Sequence, residues 1–228
     1  MSAVNAHANG LVVHRIGLIT AVGGSAPSTC AALRAKISNP SETRFTDSRG
    51  KWVTGHQVEL ERPWRGVNKL ARMAVLAIEE AMQPMPRAQW GRVPMLLCVA
   101  EPDRPGRIEG MDVALAVQIQ DLLGIRFDEY HSAVVTHGRV APAVALDLAR
   151  RLIVNRECAR VLLVAADSLL ARHTLAAYER DSRLLADSNS NGFMPGEAAG
   201  AMLLGGLDSA DTRHEQLWIV GLGFAREQ

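Results

Sequence analysis

Apolar and polar residues fall into blocks along the chain, and their spacing predicts most of its elements. Leu11 to Ile19, rich in branched side chains, reads as a strand. Gly23 to Ser28 is a turn, with Ser28 the expected N-cap of a helix over 29–35. From Ser38 to Arg65 the chain is polar and broken by Pro40, Gly50, Gly55 and Pro63, which predicts loop or short strand. Asn68 to Met82 carries Leu70, Met73, Ala74, Ala77, Ile78 and Ala81 at helical spacing, and Pro84 and Pro86 close it. Met95 to Val99 is a short buried-type strand. Asp112 to Leu123 is a helix ended by Gly124, Ser132 to Val135 a strand, and Ala143 to Val154 a third long helix. Val161 to Ala166 is the best central strand, with further runs at Ala201–Leu204 and Leu217–Val220.

Helices alternating with short apolar runs predict an α/β fold, a mixed sheet flanked by helices. No repeat or interdomain linker interrupts residues 1–228, which read as a single unit. Arg183 to Pro195 reads as a surface loop.

Composition narrows the function classes. Hydrophobic residues make up 48% and charged residues 21%, ordinary globular values. Lys plus Arg number 25 against 24 Asp plus Glu, so the net charge of +1 advertises no nucleic-acid or membrane partner. Cys30, Cys98 and Cys158 are widely spaced and form neither a metal-binding pair nor a disulfide framework. No basic-then-apolar leader opens the chain and no apolar stretch of about 18 residues occurs, so a cytoplasmic location is expected.

Several segments together resemble the N-terminal half of a β-ketoacyl-(acyl-carrier-protein) synthase of the thiolase fold. Ile16 to Gly23 is similar to that family's first strand and turn. Thr136-His137-Gly138-Arg139, followed by Ala143 to Ala149, falls where the family has its nucleophile turn and the helix behind it. Val161 to Ser168 resembles the next strand. Asn191-Gly192-Phe193-Met194-Pro195-Gly196-Glu197-Ala198-Ala199-Gly200 resembles the family's G-F-x-x-G-E-G-A segment. The resemblance implies a ketosynthase-like half-domain.

It also implies a cysteine at the nucleophile turn, where a helix N-terminus favours the thiolate, and two histidines from the second half. The turn here, His137-Gly138-Arg139, holds no cysteine, with Gly138 or Arg139 in the nucleophile slot. An arginine there is electrostatically opposite to a thiolate site, and the histidine motifs are expected beyond Gln228. The three cysteines, placed in a helix, a strand and a pre-strand turn, are no substitutes. No catalytic residue, metal or cofactor is therefore expected.

Other chemistries are weaker. His137 has no nucleophile or acidic orienter at a meaningful spacing and reads as an inert turn histidine, although it titrates near neutral pH. Arg139 could grip an anion such as a phosphopantetheine phosphate, against a plain interface or surface role. His131 and His137, six residues apart across a strand and turn, make poor metal-ligand geometry. Asp187 to Gly192 imitates half a calcium loop, but its twelfth position is Ala198, not Glu. Asp167, Ser168 and His173 lack a nucleophile elbow. Asp187 and Glu197 read as solvated or structural acids.

The third long helix carries the functional expectation. Asp147, Arg150 and Arg151 occupy one narrow face and the rest is apolar, which suits a helix covered on more than one side. In the resembled fold that helix lies between two sheets, and the strand before it pairs across a two-fold axis. Ser132, Ala133, Val134, Val135, Val144, Leu148 and Leu152 are accordingly the interface candidates. The expectation is a catalytically inactive scaffold, adaptor or partner subunit. It would form a homodimer or a heterodimer with another thiolase-fold chain, as an accessory protein of a biosynthetic or bacterial secretion system handling secreted cargo. The alternatives are a condensing or acyltransferase subunit whose catalytic residues come from a partner, and an acyl-carrier-protein binding module. Local folding of Arg183–Pro195 over the helix would remove the need for any partner.

Overall fold

The computed structural model describes residues 10–187, 189–211 and 215–225. Eight strands are distinguished: β1 (Leu11–Ile19), β2 (Ser41–Thr46), β3 (Trp52–Gly55), β4 (Met95–Cys98), β5 (Ala133–Val135), β6 (Arg160–Ser168), β7 (Glu197–Gly206) and β8 (Leu217–Ile219). Five α-helices accompany them: α1 (Ala26–Arg34), α2 (Gly66–Met82), α3 (Met111–Leu123), α4 (Ala141–Val154) and α5 (Arg172–Arg180).

Six strands form one sheet in the order β5-β4-β6-β7-β1-β8, and β2 and β3 form a separate hairpin. β4 runs parallel to β5 and β6, whereas β7 is antiparallel to β6 and β1, and β8 to β1. The expected mixed sheet is present. Successive side chains of a strand point to opposite faces. Met95, Leu97, Leu162, Val164 and Leu203 therefore pack with α2 and α3, while Leu96, Cys98, Val161, Leu163 and Leu204 pack with α4. The sheet is covered on both faces.

Two close approaches lock the α2 side. A Cβ on Gly17 would overlap the Ala77 carbonyl, so only glycine lets β1 lie this near α2. One helical turn further on the same contact, the Glu80 carboxylate accepts from Leu18 N (3.0 Å) and from Ala26 N (2.9 Å). That carboxylate meets the first residue of α1, where backbone N–H groups lack helical partners.

The N-cap of α1 is Ser25, not Ser28. The two serines form a capping box, each side chain meeting the other's backbone, so Ser28 is the third residue of a helix that starts earlier than expected. The hairpin β2–β3 lies in the stretch read as loop or short strand. α5 and a 3-10 turn over Arg87–Arg92 were not legible, because neither carries a long apolar stripe.

The 183–195 segment folds away from α4. Leu184 is buried with Val53 and Leu175, and Phe193 meets Tyr178 edge-on at 5.2 Å, which fastens the loop to the hairpin and α5. Ser188, central to the calcium-loop imitation, lies outside the described residues, as do residues 1–9, on which the reading of the leader rests. No helix of the described residues is long and apolar enough to cross a membrane.

Candidate functional site

Parallel strands β4, β5 and β6 deliver their loops to one end of the sheet, the usual place for chemistry in α/β folds. β5 leads through Thr136 and His137 into a 3-10 turn, Gly138–Val140, which runs into α4. Gly138 N donates to Val99 O at 3.2 Å, pinning the turn to the end of β4. Its φ of +53° is a left-handed conformation that suits glycine.

Beside that glycine lies an acid. A Cβ on Gly138 would overlap the Oε2 of Glu101, so the space a side chain would need is already filled. Glu101 is held there by Arg104 (2.7 Å), which also pairs with Asp167 at the end of β6. Arg104 is 7% exposed: burial works against its charge, and the two carboxylates more than compensate and hold it protonated. The Arg104 hydrogen bond in turn keeps the Glu101 carboxyl below the usual range.

The charged chain continues across the sheet. Ser168 Oγ donates to Glu197 Oε2 at 2.9 Å, while Glu197 Oε1 accepts from Val58 N (3.0 Å) and pairs with Lys69 from the first turn of α2. Glu197 is buried, and these donors satisfy a charge that would otherwise be costly to bury. It stands where the sequence pattern placed a structural acid. Asp187, its supposed companion, is exposed and paired with Lys51. Ser168 is engaged with Glu197 and Asp167 with Arg104, so the two do not form a hydrolase triad with His173.

Above this network opens a groove of about 770 Å³ between β2, the 57–66 segment, the 104–111 loop and the start of α5. Arg44, Arg62, Arg65 and Arg172 line it and have no ion-pair partner among the described residues. The Arg44 guanidinium lies 4.9 Å over the Phe45 ring; burial and the nearby Arg65 lower its proton affinity.

Two of the three cysteines are buried. Cys98 ends β4 with its side chain in the core, and burial pushes its thiol up to about 12. Cys158 precedes β6, and burial, then Asp128 and Glu157, push it up as well. Cys30 sits half-buried on α1. His137 and Arg139 are both exposed at the turn. His131 lies at the opposite end of β5, beside Asp128.

Solved structures share this architecture. A ketosynthase from module 6 of the bacillaene synthase from Bacillus subtilis 168 superimposes with a TM-score of 0.63 at 14% identity, over 87% of this chain and 40% of its own. A type II polyketide acyl carrier protein in complex with its ketosynthase gives 0.66 at 17%, over 87% and 58%. The ishigamide ketosynthase/chain length factor gives 0.62 at 21%, over 88% and 59%. The fold is ketosynthase-like. This chain spans about half the length of the ketosynthases it matches, and no family model or curated protein matches its sequence.

The ketosynthase-like sheet leaves two neighbouring surfaces open. Ala141, Ala145 and Ala149, four residues apart, are the fully buried stripe of α4, whereas Val144, Leu146, Leu148, Leu152 and Ile153 are only partly covered. Asp147 bridges Arg150 (2.6 Å) and Arg151 (2.5 Å) on the polar face. β5 is an edge strand with Ala133 and Val134 exposed. Val135 points into the core, and Ser132 is spent internally, donating to Asp128 O and accepting from Met95 N at 2.8 Å.

Glu101, Arg104 and Lys69 were not singled out from sequence. The available signal was the polar run Glu101-Pro102-Asp103-Arg104 directly after a wholly buried strand.

Proposed function

We propose that this chain is a ketosynthase-like partner subunit that forms no acyl-enzyme and works by association with another thiolase-fold chain. The observation that carries the reading is Gly138 with the Glu101 carboxylate against it. A thioester needs a thiol at the nucleophile turn, and here that volume holds an ion pair between Glu101 and Arg104. A carboxylate at this spot would also oppose thiolate formation by like-charge repulsion.

The partly covered side of α4 and the free edge of β5 support the associative part. The 183–195 loop packs elsewhere, and Val134, Val140 and Val154 add exposed apolar surface along the same strand and helix. A structural neighbour named as a ketosynthase/chain length factor fits a thiolase-fold companion.

Acyl loading tests the reading. The full chain is incubated with acyl-CoA and with acylated carrier protein, and its intact mass is read before and after hydroxylamine. An unchanged mass is expected. A hydroxylamine-sensitive adduct on Cys30, Cys98 or Cys158 would overturn it.

A second reading is favoured by the four groove arginines that have no ion-pair partner among the described residues: docking of an acidic acyl carrier protein, the kind of partner present in one neighbouring structure. Charge reversal at Arg65 together with Arg172 should weaken carrier binding at least tenfold. Unchanged affinity would remove this reading.

A further inference from the structure

At the end of the sheet opposite the Gly138 turn, two tight turns bring three metal-ligating side chains and a flanking carboxylate together. Asp128 and His131 come from the segment leading into β5, and Glu157 and Cys158 from the turn between α4 and β6. One ligand atom from each of Asp128, His131 and Cys158 lies within 4.8 Å of the other two. His131 Nδ1 is 2.8 Å from Asp128 Oδ2, and its Nε2 is 3.8 Å from Glu157 Oε2. None of the four is adjacent in sequence to a residue of the charged network around Glu101.

We propose that Asp128, His131 and Cys158 hold a zinc ion, with Glu157 at the other ring nitrogen of His131 orienting the imidazole. The donor set of one thiolate, one imidazole and one carboxylate is zinc chemistry, with the sulfur and nitrogen donors disfavouring magnesium or calcium. Donors at zinc distances of about 2.0–2.3 Å stand roughly 3.3–3.8 Å apart around a tetrahedron. The 2.8 Å between Asp128 and His131 and the 4.8 Å within which the three ligand atoms lie bracket that range. The ion would take the place of the hydrogen bond between Asp128 and His131.

Two further features favour a cation here. Neither Asp128 nor Glu157 pairs with a lysine or arginine among the described residues, so two carboxylates face a single imidazole and leave the cluster negative or neutral at best. The backbone under the ligands is also fixed in advance. Ser132 N donates to Asp128 O at 3.1 Å and Tyr130 N to Asp128 Oδ1 at 2.9 Å. Glu157 N and Cys158 N both donate to Leu152 O, at 3.0 and 3.2 Å, where Arg156 takes a left-handed φ of +59°. An ion held by both turns would fasten the end of α4 to the start of edge strand β5.

The test uses the full chain, stripped with chelator and titrated with Zn²⁺ and with Co²⁺. One equivalent of zinc should bind, raise the melting temperature, and bind at least tenfold more weakly in Cys158→Ser and in Glu157→Gln. Glu157 is 44% exposed along its side chain, so its variant keeps the proposal testable if Cys158→Ser fails to fold. Cobalt should give a near-ultraviolet thiolate charge-transfer band that Cys30→Ser retains and Cys158→Ser loses. Absence of zinc uptake, or uptake that is unchanged in both site variants, would overturn the proposal.

Discussion

The Oε2 of Glu101 occupies the space in which a side chain on residue 138 would begin, and Arg104 holds it there at 2.7 Å. The relationship ties an acid in the loop after β4 to a glycine in the turn after β5, and it fixes what this turn can do. A left-handed glycine packed against a carboxylate leaves no room for a side chain at position 138.

A double-mutant cycle reads that packing. Gly138→Ala should cost about 2–4 kcal/mol in urea denaturation, combining the left-handed backbone penalty of roughly 1–2 kcal/mol with the overlap on Glu101. In a Glu101→Ala background the overlap disappears, and the same substitution should cost about 1–2 kcal/mol. Strictly additive costs would mean that the two residues do not meet.

Arg104 offers a pH test. Its guanidinium separates Glu101 from Asp167, so Arg104→Met should leave the two acids unneutralised and destabilise the fold by about 1–3 kcal/mol at pH 7. That is less than for a fully buried pair, because both acids are partly exposed. The Glu101 carboxyl is held below its usual value in the folded chain, so its contribution is complete above the unfolded carboxyl pKa of about 4.3 and is lost as pH falls through the folded one. Stability of the parent should therefore drop on acidification through that window. Arg104→Met should show a flatter acid limb, and an identical limb in the two proteins would contradict the pairing.

Much of the scaffold was legible in the sequence because it is local. β1, α2, β4, α4 and β6 each declare themselves by branched runs or by three- and four-residue apolar spacing. The cap of α1 was misplaced by three residues because Ser25 and Ser28 are both good caps and only the box between them decides. α5 was missed because a nine-residue helix with Arg172, His173, Glu179 and Arg180 has little apolar face to show.

The site was less legible for a different reason. Its decisive contacts are long-range: Arg104 meets Asp167 across 63 positions, and Lys69 meets Glu197 across 128. The missing cysteine at His137-Gly138-Arg139 could be read directly, but not the carboxylate that fills its place. His131 was weighed against His137, its neighbour in sequence, when its neighbours in space are Asp128, Glu157 and Cys158.

The central claim, that this chain works by covering α4 with another thiolase-fold chain, is tested most directly by native mass spectrometry of the parent beside Leu148→Glu. Leu148 is partly covered and packs against the core below α4, so a charge there should lower the melting temperature about as much as Leu148→Ala does, while opposing burial against a partner. The parent should run as a homodimer, or as a one-to-one complex with a thiolase-fold companion, and Leu148→Glu as a monomer. A parent that stays monomeric alone and with that companion, or a Leu148→Glu variant that assembles as the parent does, would contradict the account.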